Sequence, residues 1–487
     1  MKKIIIFIFG LILILAYSCS KEIIEPDQDG DLKDLTCGKY KPYKPHGPVF
    51  TVLPSGGDDT EALIDAFDAA KEAGPGSTVK LVEGQYTIGM IEVRDFDGYF
   101  RGAGRGKSII SNLPDLPCDD CWAMDNIPYL LQFVGGNITI TDMTIQINDG
   151  SPCPDHWFVG NLLPSVLVLA DYTMSYTPVN RQIKALVKNV DFFAGDILDG
   201  NDPVGCNGNV NMTIYCGSPF MTGTGNDPLS YGEITVTGCR FIDVGIGPDF
   251  WGFDENSIIN IENNIMTGNV YGMFLGFNLG SKLTVRSNQI KDAISMGIFI
   301  DDNDWGAYPN MVQKKRTEWI IMGNDFKTSP DVISLYISDT RRTNYPDEGF
   351  PQLIDLMGNK FETQEGGIAI MGLNNVDAKI WNNRFTGTGT VGVMLDGNAD
   401  TDTWAENNKI MANNFLKANY TDAAVHLGPN TMNNKVVGVA SDKVVDEGVN
   451  NTVIGVKAQK KGPHYIPGKH HHHFRNMHEN MMRVRPQ

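Results

Sequence analysis

The chain has 487 residues, 20% charged and 41% hydrophobic, the balance of a folded protein and not of a polar disordered one. Its 52 glycines follow no three-residue period, which excludes a collagen-like rod. Forty Lys and Arg stand against 58 Asp and Glu, a formal charge of −18, so the basic footprint that nucleic-acid phosphates require is missing.

Residues 1–18 read as an export signal. Lys2 and Lys3 supply the charged start, and Ile4 to Tyr17 form a 14-residue apolar core, too short to span a hydrocarbon layer of ~30 Å comfortably. The core runs into Ala16, Tyr17 and Ser18 before Cys19, and small residues in that position resemble the lipobox of bacterial lipoproteins. The resemblance implies cleavage before Cys19 and diacylation of that residue. Residues 19–48 are polar, contain Pro and lack apolar periodicity, as a tether should. No later segment approaches 18 apolar residues. The expected address is the cell envelope, outer membrane surface or periplasmic face, with membrane contact through the N-terminal lipid anchor only.

Seven cysteines remain after Cys19. An exported chain permits disulfides. Cys206 and Cys216 bracket one Gly- and Asn-rich stretch and are the first candidates for a bridge, with Cys118 and Cys121 as a tight second pair. No second Cys-x-x-Cys and no matching His pair occur, so a structural zinc site is not expected.

A short helix is expected near 59–73. Asp58 reads as its N-cap and Glu61 as the residue closing a capping box, Leu63, Phe67 and Ala70 recur on one face, and Gly74 with Pro75 stops it. Short alternating runs follow at 78–82, 84–88 and 91–93. The glycines at 102, 104 and 106 before Lys107 and Ser108 imitate a phosphate loop. Arg101 stands where the first Gly of that motif belongs and no amphipathic helix follows, so a turn between strands is expected.

From there a short unit recurs: an apolar residue, two variable ones, often Asn, one more variable residue, then Phe, Ile or Met. Its Asn residues are Asn264, Asn288, Asn324, Asn359, Asn383 and Asn413, and its final apolar residues run Ile145, Phe192, Phe241, Met266, Ile290, Phe326, Phe361, Phe385 and Phe415. The steps between final residues vary from 24 to 49, a minimum with insertions rather than a period. Short strands that keep register while one set of loops varies would produce this. No unit can bury its apolar side alone, so the units must stack. Asn suits the turn because it tolerates the left-handed region, and its amide can bond the Asn one coil away.

The runs Gly57 to Ala70, Gly76 to Tyr86 and Gly102 to Ile110 resemble the entry of pectate-lyase-like proteins, and the Asn-bearing units resemble the coils of that superfamily. The resemblance implies an all-β chain, a right-handed parallel β-helix solenoid with a short N-terminal capping helix, over 49–456. It does not imply one activity, because this fold carries lyases, hydrolases, epimerases, adhesins and inert scaffolds.

A second strand in each unit reads as inward pairs: Met273 and Leu275, Ile298 and Ile300, Leu335 and Ile337, Ile368 and Ile370, Val393 and Leu395, Val425 and Leu427. The outward row between them is then Phe274, Phe299, Tyr336, Ala369, Met394 and His426, extended upstream by Tyr215 and by Phe250 with Trp251. Aromatic rings on adjacent coils would give a platform for sugar rings, with polysaccharide as the partner, unless a long loop covers the row. Beyond it lie Asp301, Asp302 and Asp304, then Asp339 with Arg341 and Arg342, then Asp396. Asp302 and Asp339 align on neighbouring coils. Two carboxylates ~5–5.5 Å apart suit a retaining glycosidase, and crowding would keep one protonated. In the alternative chemistry, carboxylates hold Ca²⁺ and an Arg takes the proton beside a uronate carboxylate. No cofactor is required otherwise. Of the motifs that polygalacturonases resembling this fold carry, Asp301–Asp302 matches and Gly-His-Gly is absent. Asp196, Asp199 and Asp202 form another acidic patch in a long loop. A glycan-binding or adhesive surface without catalysis, or a structural β-helix with the row covered, is the alternative to an enzyme.

The tail 457–487 carries seven Lys and Arg, one acid and six of the nine His, while residues 19–456 hold 31 basic and 57 acidic residues. It reads as a basic extension of an acidic body.

Overall fold

The computed structural model describes residues 45–113, 129–147, 165–170, 179, 181–194, 212–217, 232–253, 255–278, 280–301, 316–339, 352–398 and 403–455. Among them 31 strands join in one parallel network that winds as a solenoid. Three faces repeat in the same order on each coil. The first carries Ser77–Leu81, Gly232–Thr237, Ile258–Glu262, Lys282–Arg286, Glu318–Met322 and Leu353–Met357, and ends at Thr452–Ile454. The second carries Arg240–Ile242, Ile265–Thr267, Gln289–Lys291, Asp325–Lys327 and Lys360–Thr363. The third carries Ile246–Phe253, Tyr271–Asn278, Met296–Asp301, Ile333–Ser338 and Ile368–Leu373. In the last full coils the second and third faces come from single strands, Arg384–Asp396 and Asn414–Leu427.

The corner between the first and second faces explains the repeated unit. Asn288 Nδ2 donates to Asn324 Oδ1 at 3.0 Å and to the Ile261 carbonyl at 2.8 Å, and its backbone N–H also donates to Asn324 Oδ1 at 2.9 Å. The same side-chain contact links Asn264 to Asn288, Asn324 to Asn359, Asn359 to Asn383 and Asn383 to Asn413. One detail differs from expectation. The left-handed residue is the one before each ladder Asn: Asn263, Ser287, Gly323, Gly358, Asn382 and Ala412 all have φ between 54° and 64°. The ladder Asn is therefore placed by a left-handed neighbour, and its amide is spent on the carbonyls that the turn would otherwise strand in the core. Cys239 occupies the same column one coil earlier: its N–H donates to Asn264 Oδ1 at 2.9 Å, and its thiol takes the amide's role toward the Val187 carbonyl at 3.6 Å.

Just past the corner the final apolar residues of the units form one inward column. Phe326, Phe361, Phe385 and Phe415 stack with centroids 4.7, 5.2 and 4.3 Å apart, and Phe192 stacks on Phe241 at 5.1 Å. Met266 and Ile290 bridge the two stacks in register. Each buried ring removes enough apolar area to stabilise the fold by about 2–3 kcal/mol, the main force holding coil to coil.

The helix Thr60–Glu72 lies over the first coils and buries Leu63, Phe67 and Ala70. Phe67 meets Phe96, Phe100 and Phe133 at 5.1–5.6 Å. The N-cap position is Asp59, not Asp58; its side chain makes no cap bond, while Asp58 Oδ1 accepts the Thr60 N–H at 2.9 Å. Fully buried, Asp59 instead accepts the N–H of Ser55 at 2.7 Å and of Thr87 at 3.1 Å, tying the lid to the sheet. Gly102 to Lys107 is a turn between strands Ile91–Arg101 and Ser108–Asn112, as expected.

Candidate functional site

Register fixes the outward row of the third face as Tyr215, Asp249, Phe274, Phe299, Tyr336, Met371, Met394 and His426. The rings of Phe274 and Phe299 stack at 4.5 Å and 9°, and those of Phe299 and Tyr336 at 5.1 Å and 6°. Tyr271 meets Phe274 edge-on at 5.6 Å. Three residues of the expected row belong elsewhere. Ala369 points into the core and Met371 takes its place, because Leu335 pairs with Ile370 and Ile337 with Gly372. The inward position left empty at Gly372 lies against Leu395, whose Cδ2 would stand 2.7 Å from an added Cβ. Upstream, Asp249 sits in the row, Phe250 is buried in the core, and Trp251 pairs with Gly276 in the next column.

The row is not open. Only Phe274 is half-buried; Phe299 is 6% exposed, Tyr336 2% and His426 8%. His426 Nε2 lies 3.5 Å from Glu447 Oε2, an ion pair when the imidazole is protonated.

The carboxylates gather at the downstream end of the same strands. Asp301 pairs in register with Ser338, which puts Asp301 and Asp339 one residue out of step on adjacent coils, ~4.8 Å per coil. Both are 2% exposed. Asp339 donates its N–H to the Leu373 carbonyl at 3.0 Å, and its Oδ2 accepts the Gln352 N–H at 3.4 Å. Gln352 Nε2 in turn donates to the Ser338 carbonyl at 3.3 Å. Burial, reinforced by the negative charge of Asp301, pushes the Tyr336 phenol far above its ordinary value, so it stays a proton donor. Asp396 sits in the Asp301 column three coils on. Its Oδ1 accepts the N–H of Gly397 at 2.8 Å and of Asn430 at 3.1 Å. Buried carboxylates held this way beside a neutral phenol can pass or hold a proton. Asp249, buried at 5%, is a fourth acid that alternation missed; the mixed run Gly245 to Trp251 gives no clean period.

Asp302, Asp304, Arg341 and Arg342 lie outside the described residues, as do Cys19, Cys118, Cys121 and Cys206, the acidic patch at Asp196, Asp199 and Asp202, and the tail from 457. Cys216 is buried. No disulfide joins two described residues. Among the described residues no three His, Cys, Asp or Glu side chains come together in a group that could hold a metal ion. No described helix is long and apolar enough to cross a membrane.

No protein-family model matches the chain, and no curated protein does. Solved structures do. The Dettilon tailspike protein is 12% identical with a TM-score of 0.52, over 84% of this chain and 68% of that one. The mannuronan C-5 epimerase A-module of Azotobacter vinelandii is 15% identical with a TM-score of 0.39, over 86% of this chain and 100% of that one. A family 28 exopolygalacturonase of Yersinia enterocolitica is 12% identical with a TM-score of 0.39, over 84% and 79%. At such identity the likeness speaks for the fold alone. The chain is a right-handed parallel β-helix.

Proposed function

We propose that this chain is an exported, lipid-anchored protein of the cell envelope whose third face cleaves polysaccharide. The observation that supports this best is the placing of Asp301 and Asp339, two buried carboxyls on adjacent coils at the end of a stacked row of Phe274, Phe299 and Tyr336. In this reading one carboxyl protonates the leaving oxygen while the other acts as base or nucleophile, Asp302 and Arg341 complete the site, and the half-buried Phe274 offers its ring to the sugar. Ca²⁺ belongs only to the lyase version of the chemistry, and no step here is routed through it.

A panel of neutral and uronate polysaccharides, assayed for new reducing ends and for unsaturated uronates, tests the reading. Activity that falls at least 100-fold in both Asp301→Asn and Asp339→Asn supports it, and full activity in both removes the site. Mass spectrometry of the mature N-terminus tests the anchor: a diacylated Cys19 is expected, abolished by Cys19→Ala. A second reading, a structural β-helix protein without turnover, is favoured by the burial of Phe299, Tyr336 and His426. It predicts neither binding to nor product from any polysaccharide.

A further inference from the structure

A second outward row runs along the first face, directly before the Asn corner. Met322, Met357, Trp381, Met411, Val437 and Ile454 are register partners on successive coils. At ~4.8 Å per coil the row is ~24 Å long. The first five residues are half-buried, and Ile454 is 50% exposed. Two positions earlier on the same strands stand Lys379, Lys409 and Lys435, again in register, and Arg384 follows just past the corner. All four cations are exposed, and none makes an ion pair among the described residues. From Lys379 to Phe385, Lys409 to Phe415 and Lys435 to Val439 the sequence contains no acid. Of the acids nearby, Asp355 accepts the Trp381 Nε1–H at 2.6 Å and Asp377 lies 3.2 Å from Arg316. Glu406 closes the preceding corner strand.

We propose that this row is a membrane-facing surface that lies along an anionic lipid bilayer. Lysines stacked one coil apart repel one another unless a counter-charge is brought to them, which calls for a partner with repeated negative charge. Met, Val and Ile offer no flat face for a sugar ring, so the apolar row fits the boundary of headgroups and acyl chains better than a glycan. Trp with flanking Lys and Arg is the composition that favours that boundary. Asp355, the register partner of Lys379, offsets part of the charge at that end of the row, whereas Lys409 and Lys435 have no acid in register, and acids beyond about 8 Å are largely screened at physiological salt. The surface uses no residue of the third face and does not depend on acylation of Cys19.

The test is sedimentation of residues 20–456, so that neither the apolar export core, an acyl chain nor the basic tail contributes, with vesicles of phosphatidylglycerol and phosphatidylcholine or of phosphatidylcholine alone. Binding to the anionic vesicles is expected to fall on the order of 100-fold in Lys379→Gln/Lys409→Gln/Lys435→Gln, about fivefold per lysine. Trp381→Ala should weaken binding further than Trp381→Phe, and quenching of tryptophan emission by brominated lipid should be lost in Trp381→Phe. Thermal unfolding of each variant separates these effects from misfolding. Unchanged binding in the triple variant overturns the proposal, as does equal binding to phosphatidylcholine alone. Tighter binding to a soluble polyuronate than to the vesicles would reassign the row to glycan, and dimers abolished by Met411→Lys would reassign it to a second copy of the chain.

Discussion

Asn324 accepts two hydrogen bonds from Asn288, a residue 36 positions earlier: Oδ1 lies 2.9 Å from the backbone nitrogen and 3.0 Å from Nδ2. Its own amide donates to the Val285 carbonyl at 2.9 Å and to Asn359 Oδ1 at 3.0 Å. Asn324→Ala would leave the buried N–H of Asn288 and the carbonyl of Val285 unpaired in a site that water does not reach. A loss of about 3 kcal/mol is expected, read from the urea midpoint, with the unfolding slope unchanged if the coils still part together.

The inward stack makes a contrasting prediction. Phe361 is fully buried between the rings of Phe326 and Phe385, whereas Leu416 is 91% exposed. Phe361→Ala should cost about 3–5 kcal/mol and Phe361→Leu clearly less, because Leu refills part of the cavity. Leu416→Ala should change stability by under about 0.5 kcal/mol. Equal midpoints for the two alanine variants would mean that the Phe column does not hold the coils together.

These two ladders were legible in the sequence because each needs one residue type at one place in a unit, and the place survives loops of any length. The third-face row was harder to read. Sliding Ile368 and Ile370 against Leu335 and Ile337 by two residues preserves the in-out alternation, so periodicity could not reject the slip that put Ala369 in the place of Met371. The crowding at Gly372 marks it, where Asn375 Nδ2 and Leu395 Cδ2 would stand 2.4 and 2.7 Å from an added Cβ. A second Asn ladder, Asn408 to Asn434 to Asn451 at 2.9 and 3.1 Å, was also missed. Its signal is an Asn two positions before an inward residue: Asn408 before Ile410, Asn434 before Val436, Asn451 before Val453. Burial of the aromatic row could not be read at all, since alternation separates two sides of a strand and says nothing of what covers the outer one.

Cys239 stands where the ladder begins and behaves as a core residue. Complete burial pushes its thiol up to about 12. The neutral thiol is the form the fold prefers, so this contribution to stability is present below the unfolded thiol's pKa, near 9, and is lost as pH rises toward 12. The stability of the native protein should therefore fall more steeply above pH 9 than that of Cys239→Ala. At pH 8, iodoacetamide should leave the Cys239 peptide unlabelled until urea unfolds the chain, a result that peptide mass mapping reads directly.

The Asp396 carboxyl depends on a missing side chain. It lies over Gly428 on the next coil, where an added Cβ would stand 2.5 Å from Cγ and 2.6 Å from Oδ2. Gly428→Ala must therefore push the carboxyl away from the N–H groups of Gly397 and Asn430, leaving buried donors without an acceptor. The expected cost is about 1–3 kcal/mol. Asp396→Asn offers the separating control: its amide oxygen can still accept both N–H groups, and no clash arises, so its midpoint should stay close to that of the parent. If Asp396 serves the third-face site through its charge, Asp396→Asn should lower turnover while leaving the unfolding midpoint nearly unmoved. Gly428→Ala should lower both, and a Gly428→Ala variant as stable and active as the parent would show that the carboxyl is not held by this contact.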